Sequence, residues 1–167
     1  MLVKGGCELS KRRVLSVLVK DRPGVMQRVS GLFRRRGFNI DSIAEGPSER
    51  EGLARMTLTV KGNEQTIEQV VKQLNKLVDV IKVSELDPER TVERQLALVK
   101  IRTKDRARAA ELARAAGAEV VDVGRETITV EIVGEPQDVE SLLELMKDIG
   151  NIVEIARTGI VAMERET

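Results

Sequence analysis

Asp21-Arg22-Pro23-Gly24, with Asn39 fifteen residues beyond Gly24, is the part of this 167-residue chain whose residue types best suit the binding of a small charged molecule. An apolar alternating run ends at Asp21 and an amphipathic helical pattern follows, so the segment marks a helix start. Pro23 suits a first helical turn, and Gly24 lets a ligand approach the backbone closely. The first N–H groups of a helix have no intrahelical acceptor and sit at the positive end of its dipole, so a carboxylate fits against residues 21–26. The Asn39 amide offers both a donor and an acceptor, and Asp21 offers an acid to an ammonium group. Val25, Met26, Ile40 and Leu18 supply apolar surface for an aliphatic tail. The chemistry is that of a site for a small zwitterion with an apolar side chain. The same residues also suit a plain Pro-Gly helix start, with Asn39 capping the turn after Gly37, and spacing alone does not separate the two readings.

Catalysis is poorly provided for. The chain has no histidine, which removes the usual proton shuttle at neutral pH and the commonest metal ligand together. Its one cysteine, Cys7, follows Gly5-Gly6 with no base nearby in sequence, so a loose free thiol is expected and an intrachain disulfide is impossible. Glu45, Glu49 and Glu51 fall around a turn-rich loop and form no acid/base pair in an apolar setting. Neither a Gly-x-Gly-x-x-Gly nor a Walker-type phosphate loop occurs. The expectation is a binding chain without catalytic residues, metal or cofactor of its own.

Two similar sets of elements position these residues. Val14, Leu15, Val17, Leu18 and Val19 form a β-rich run, and Val25, Val29, Leu32 and Phe33 recur at helical spacing until Gly37. Residues 38–45 and 53–60 read as a strand pair around the polar segment Gly46 to Gly52. A second helix from about Glu64 carries Ile67, Val70, Val71, Leu74 and Leu77, and Val78 to Val83 reads as the closing strand. Asp87-Pro88-Glu89-Arg90 then breaks the periodicity as a linker would. The order recurs more loosely afterwards. Leu96 to Ile101 reads as a strand, Lys104 to Ala116 as an Ala-rich helix, and residues 120–123 and 127–133 as strands. A helix opened by Glu135-Pro136 and a strand at Ile152, Val153 and Ile155 complete the set. The fold class is α+β: two βαββαβ domains, each with its helices on one face of an antiparallel sheet. The divisions are a leader over 1–11, expected to be partly disordered, a first domain over 12–86, a linker over 87–92 and a second domain over 93–167. Domains of about 75 residues bury little surface on their own, so a homodimer is expected.

Composition sets outer bounds. Lys and Arg number 28 against 27 Asp and Glu, so no overall field favours nucleic acid or an anionic membrane. Arg34-Arg35-Arg36 reads as a basic run complementing the end of the first helix. Phe33 and Phe38 are the only aromatic residues, too few for the stacking surface of an RNA-binding βαββαβ sheet. No stretch approaches the roughly 20 apolar residues of a membrane span, and the start of the chain lacks a signal-peptide core, so a cytoplasmic protein is expected.

Several segments together resemble the small regulatory subunit of acetolactate synthase. They are Arg13-Val14-Leu15-Ser16-Val17-Leu18-Val19, Arg22-Pro23-Gly24-Val25, Gly31-Leu32-Phe33, Arg36-Gly37-Phe38-Asn39-Ile40, the run from Lys72 to Val80, the run from Val92 to Lys100, and Val153 to Gly159. The resemblance implies an N-terminal ACT domain that binds valine at a dimer interface and a C-terminal ferredoxin-like domain. It further implies a partner, the catalytic subunit, to which thiamine diphosphate, FAD and magnesium belong. Activation of that subunit and feedback inhibition by branched-chain amino acids are the implied roles. The family's valine-site positions fall on Asp21, Gly24 and Asn39, with Arg22, Pro23 and the backbone of Val25, Met26 and Ile40 around them. Asp21 stands where members of the family often carry Asn, so an ammonium partner is kept and an amide donor lost. The alternatives are an ACT module serving another biosynthetic enzyme, which changes the partner, and a βαββαβ nucleic-acid adaptor, which abandons the site.

Overall fold

The computed structural model describes residues 11–166. Cys7 and all but the last residue of the expected leader therefore lie outside the described residues. The chain divides into two compact units, one made of the described residues up to Val92 with those from Ala162 onward, the other Glu93–Val161.

The first unit runs β1 (Lys11–Lys20), α1 (Val25–Arg36), β2 (Asn39–Pro47), β3 (Leu53–Gly62), α2 (Glu64–Asn75) and β4 (Val80–Glu85). Its antiparallel sheet has the order β2-β3-β1-β4, so β2 and β4 are the edges. Alternation sorts β1: Leu15, Val17 and Val19 join the core cluster with Val29 and Phe33 of α1 and Ile67, Val70 and Leu74 of α2. Both helices thus cover one face. Phe33 and Phe38 meet edge to face at 6.0 Å, and both pack in that core rather than on an open sheet. Gly37 closes α1 as read, directly after the exposed Arg34, Arg35 and Arg36.

Two local expectations need correction. Pro23 is not in the first turn of α1. Gly24 takes φ 86°, a left-handed conformation that cannot continue an α-helix, so the helix starts at Val25 and Pro23 belongs to the turn before it. Val78 does not open the closing strand either: it lies in the turn after α2, 78% exposed, and β4 begins at Val80.

The second unit repeats the pattern with β5 (Thr91–Arg102), α3 (Arg106–Ala115), β6 (Glu119–Val123), β7 (Thr127–Gly134), α4 (Pro136–Ile149) and β8 (Asn151–Arg157). Its strand order is β6-β7-β5-β8. Ala97, Val99 and Ile101 of β5 pack with Ile128, Val130 and Ile132 of β7 beneath Ala109 and Ala113 of α3 and Val139, Leu143 and Met146 of α4. Asp105 caps α3 by accepting from the Arg108 N–H at 3.0 Å, and Pro136 opens α4.

A further strand, β9 (Val161–Glu164), pairs with β5 and was not legible as a separate element. The segment read as a linker is a turn running into β5 at Thr91. Beside it, the Arg165 N–H donates to the Arg90 carbonyl at 2.8 Å and the Asp87 N–H donates to Glu164 Oε1 at 3.3 Å. These bonds tie the tail to the segment that leads into β5.

Candidate functional site

The loop Asp21–Gly24 links the end of β1 to α1. The Asp21 N–H donates to the Gly52 carbonyl and the Lys20 N–H donates to the Asp79 carbonyl, both at 2.9 Å, which ties the loop to the β2–β3 turn and to the turn after α2. Asp21, Arg22, Pro23 and Gly24 are all exposed. Gly24 carries the helix cap with no side-chain partner, and its carbonyl accepts from the Arg28 N–H at 3.0 Å. The N–H groups of Met26 and Gln27 lie in the first turn, where no intrahelical carbonyl reaches them. An open, donor-rich loop results.

Within one chain, not every residue assigned to this site stands beside the loop. Asn39 is exposed at the start of β2, opposite Lys61, which is itself opposite Arg12 near the start of β1. From Arg12 to Lys20 the strand advances roughly 25 Å. Within one chain, Asn39 and Ile40 therefore lie at the other end of the sheet from the loop, separated by the length of α1. A single amino acid cannot touch both. The apolar wall also differs from expectation: Val25 is 2% exposed and faces its own core, and Leu18 lines an open depression with Ser16, Arg55 and Ile81 on the sheet face away from the helices. Met26, half-buried, is the apolar side chain of the helix start that remains partly accessible.

The loop has a charged support that the sequence reading missed. Asp79, in the turn after α2, is 2% exposed. Arg22 Nε donates to its Oδ1 at 2.8 Å, and Arg22 Nη2 pairs with the same oxygen. Arg28 Nε donates to Oδ2 at 2.7 Å, with Nη2 at 2.6 Å from that oxygen. The Arg22 hydrogen bonds, followed by those of Arg28, hold the Asp79 carboxyl below the usual carboxylate range, against the opposing effect of burial. An acid inside the run Leu77-Val78-Asp79-Val80 was the available signal, because a buried carboxylate requires partners.

A pH dependence follows from that depressed value. Asp79 stabilises the fold fully above its unfolded pKa of about 3.9, and the contribution is lost as pH falls toward and through the lower folded-state value. The stability difference between the wild-type chain and Asp79→Asn, measured by urea unfolding, should be largest near neutrality and shrink below about pH 4. A difference independent of pH would show that the charge of Asp79 is not what stabilises the turn.

Among the described residues, no group of three or more Cys, Asp or Glu side chains is placed to hold a metal ion. No helix among the described residues is long and apolar enough to cross a membrane.

Comparison with known proteins fits this architecture. Residues 15–82 match the family model of the AHAS small subunit-like ACT domain, and residues 94–166 match that of the small subunit of acetolactate synthase. The chain is 45% identical over 155 residues to the probable acetolactate synthase small subunit of Methanothermobacter thermautotrophicus, covering 91% of this chain and 92% of that one. It is 46% identical to the acetolactate synthase small subunit of Mycolicibacterium smegmatis, over 90% of this chain and 89% of the relative. The crystal structure of the acetolactate synthase small subunit from Thermotoga maritima superposes with a TM-score of 0.87 at 45% identity, over 94% of this chain and 99% of that one. Two βαββαβ units of matching order, and relatives aligned across nearly their whole length, place the chain in the acetolactate synthase small subunit family.

Proposed function

We propose that this chain is the non-catalytic regulatory subunit of a cytoplasmic acetolactate synthase, which activates a separate thiamine-diphosphate-dependent catalytic subunit and conveys valine feedback inhibition to it. The observation that carries the reading is the split site: the Asp21–Met26 loop and Asn39 lie at opposite ends of one sheet. Among the described residues, β2 is an edge strand whose ladder partner is β3. Antiparallel pairing of two β2 edges reverses one copy relative to the other, which brings Asn39 of one copy to the loop end of the second. Each of two symmetric sites then draws on both copies. The loop donors take the effector's carboxylate, Asp21 faces its ammonium group, and Asn39 closes the site from across the two-fold. Because the effector spans two chains, its binding favours one dimer arrangement, and that arrangement holds the catalytic subunit in its less active state. The coupling is reciprocal, so the catalytic subunit must also change the affinity for valine.

The test is Asn39→Ala in the complex reconstituted with its catalytic subunit. Activation by the small subunit is expected to persist, while half-maximal inhibition moves to at least about tenfold higher valine, as befits a lost hydrogen bond to a charged group. Calorimetric titration of the small subunit with L-valine, L-leucine, L-isoleucine and D-valine should show the same loss. Unchanged inhibition would remove Asn39 from the site. Loss of activation together with inhibition would place Asn39 at the catalytic-subunit interface instead.

A further inference from the structure

We propose that Asp79 is a positioning residue that presets Arg28, with Arg22 beside it, to read the carboxylate of the effector; the proposal rests on the amino-acid site described above. One buried carboxylate needs one cation for neutrality, yet Asp79 takes two. Each guanidinium spends its Nε and Nη2 donors on one Asp79 oxygen. The cluster keeps a formal charge of one positive unit, at the loop rather than in the core, since the Arg22 and Arg28 side chains are 50% and 48% exposed. An arginine fixed at Nε and Nη2 cannot swing, so its remaining Nη1 group is aimed.

For Arg28 the direction is known. A Cβ built on Gly24 would stand 3.1 Å from Arg28 Nη1, and Gly24 has none. The missing side chain lets that N–H pair stand close against the loop assigned to the effector. A planar donor group held by a buried acid is a preorganised partner for a carboxylate, and it recovers more of the interaction than a free arginine would. Asp21, exposed on the same loop, is the complementary group for an ammonium. The recognised class is thus a free α-amino acid with an unblocked carboxylate, and Arg28 is what distinguishes it from an amide.

The experiment titrates the full-length chain calorimetrically with L-valine and with L-valinamide, which keeps the side chain and ammonium but lacks the carboxylate. The wild-type chain should prefer valine. In Arg28→Gln, which retains the Arg22–Asp79 pair, valine affinity should fall by about tenfold or more while valinamide affinity barely moves, so the preference collapses. Arg28→Lys should restore part of it through charge alone. Asp79→Asn should narrow the preference less than Arg28→Gln, because both arginines remain but are no longer held. If Arg28→Gln and Asp79→Asn weaken both ligands equally, or neither, the cluster is only a structural clamp and the proposal is overturned. A wild-type chain that binds none of valine, leucine and isoleucine overturns the amino-acid site and this proposal with it. Binding with an unaltered valine-to-valinamide preference in the variants overturns the positioning role alone.

Discussion

Gly150→Ala is expected to cost the second unit about 3 kcal/mol or more, the largest stability loss of any single methyl addition considered for this chain. Gly150 joins α4 to β8 with φ 175°, an extended conformation open to any residue, so backbone strain is not the reason. Space is. A Cβ there would lie 2.5 Å from the Arg102 carbonyl oxygen, 2.9 Å from Ile101 Cγ2 and 3.3 Å from Thr103 Cβ. Neither neighbour can step aside: the Arg102 main chain pairs with Thr127 of β7 on one side and with Asn151 of β8 on the other, and the Ile101 side chain is fully buried. Relief requires β8 to part from β5. Gly117→Ala makes the informative comparison, because Gly117 has φ 92° but open space around the missing Cβ, and should cost only about 1 kcal/mol. Denaturant unfolding of both variants, with hydrogen exchange to localise the loss to residues 93–161, checks the ranking. Equal effects would mean that β8 yields at Gly150 without opening the sheet.

This glycine also shows where sequence reading stops. The hydrophobic alternation of β1, the 3.6-residue spacing of α1 up to Gly37 and the polar turn between β2 and β3 are local signals, and each names its element. The second βαββαβ order was legible for the same reason, including the Pro136 helix start. What failed depended on neighbours distant in sequence. Val78 looks like strand because it is β-branched and follows Leu77, but the chain must turn there to bring the Asp79 carbonyl to the Lys20 N–H. Leu18 looked available to a ligand because it ends near the loop, yet alternation points it away from α1. Strand β9 is four residues long, and pairing with β5 rather than its own composition makes it a strand. The site residues were recognisable by type and not by arrangement. Even so, one constraint was present from the start: the twelve residues of α1 put about 18 Å of helix between Gly24 and Asn39.

That separation leads to the most demanding test of the proposed site: two chains that each fail to respond to valine should respond when mixed. Gly24→Val places a β-branched side chain at φ 86° and against Arg28, so it damages the loop half of the site. Asp21→Ala damages the same half without altering the backbone, and guards against a folding defect in the first variant. Asn39→Ala damages the other half. A homodimer of any one variant has two defective sites, because symmetry repeats the lesion. In a mixed dimer, one site collects both lesions and the other collects none, since its loop comes from the Asn39 variant and its Asn39 from the loop variant. Random exchange makes about half the dimers mixed, so about a quarter of all sites should bind valine at wild-type affinity. Calorimetric stoichiometry reads that fraction directly, and the reconstituted enzyme should regain a matching part of its valine inhibition. Mixing Gly24→Val with Asp21→Ala must restore nothing, because both lesions lie in one half. If the Asn39 mixture restores nothing either, although exchange is shown by differently tagged chains, then the two halves do not meet across a dimer. The roughly 25 Å between them in one chain would then leave Asn39 outside any amino-acid site formed by the loop.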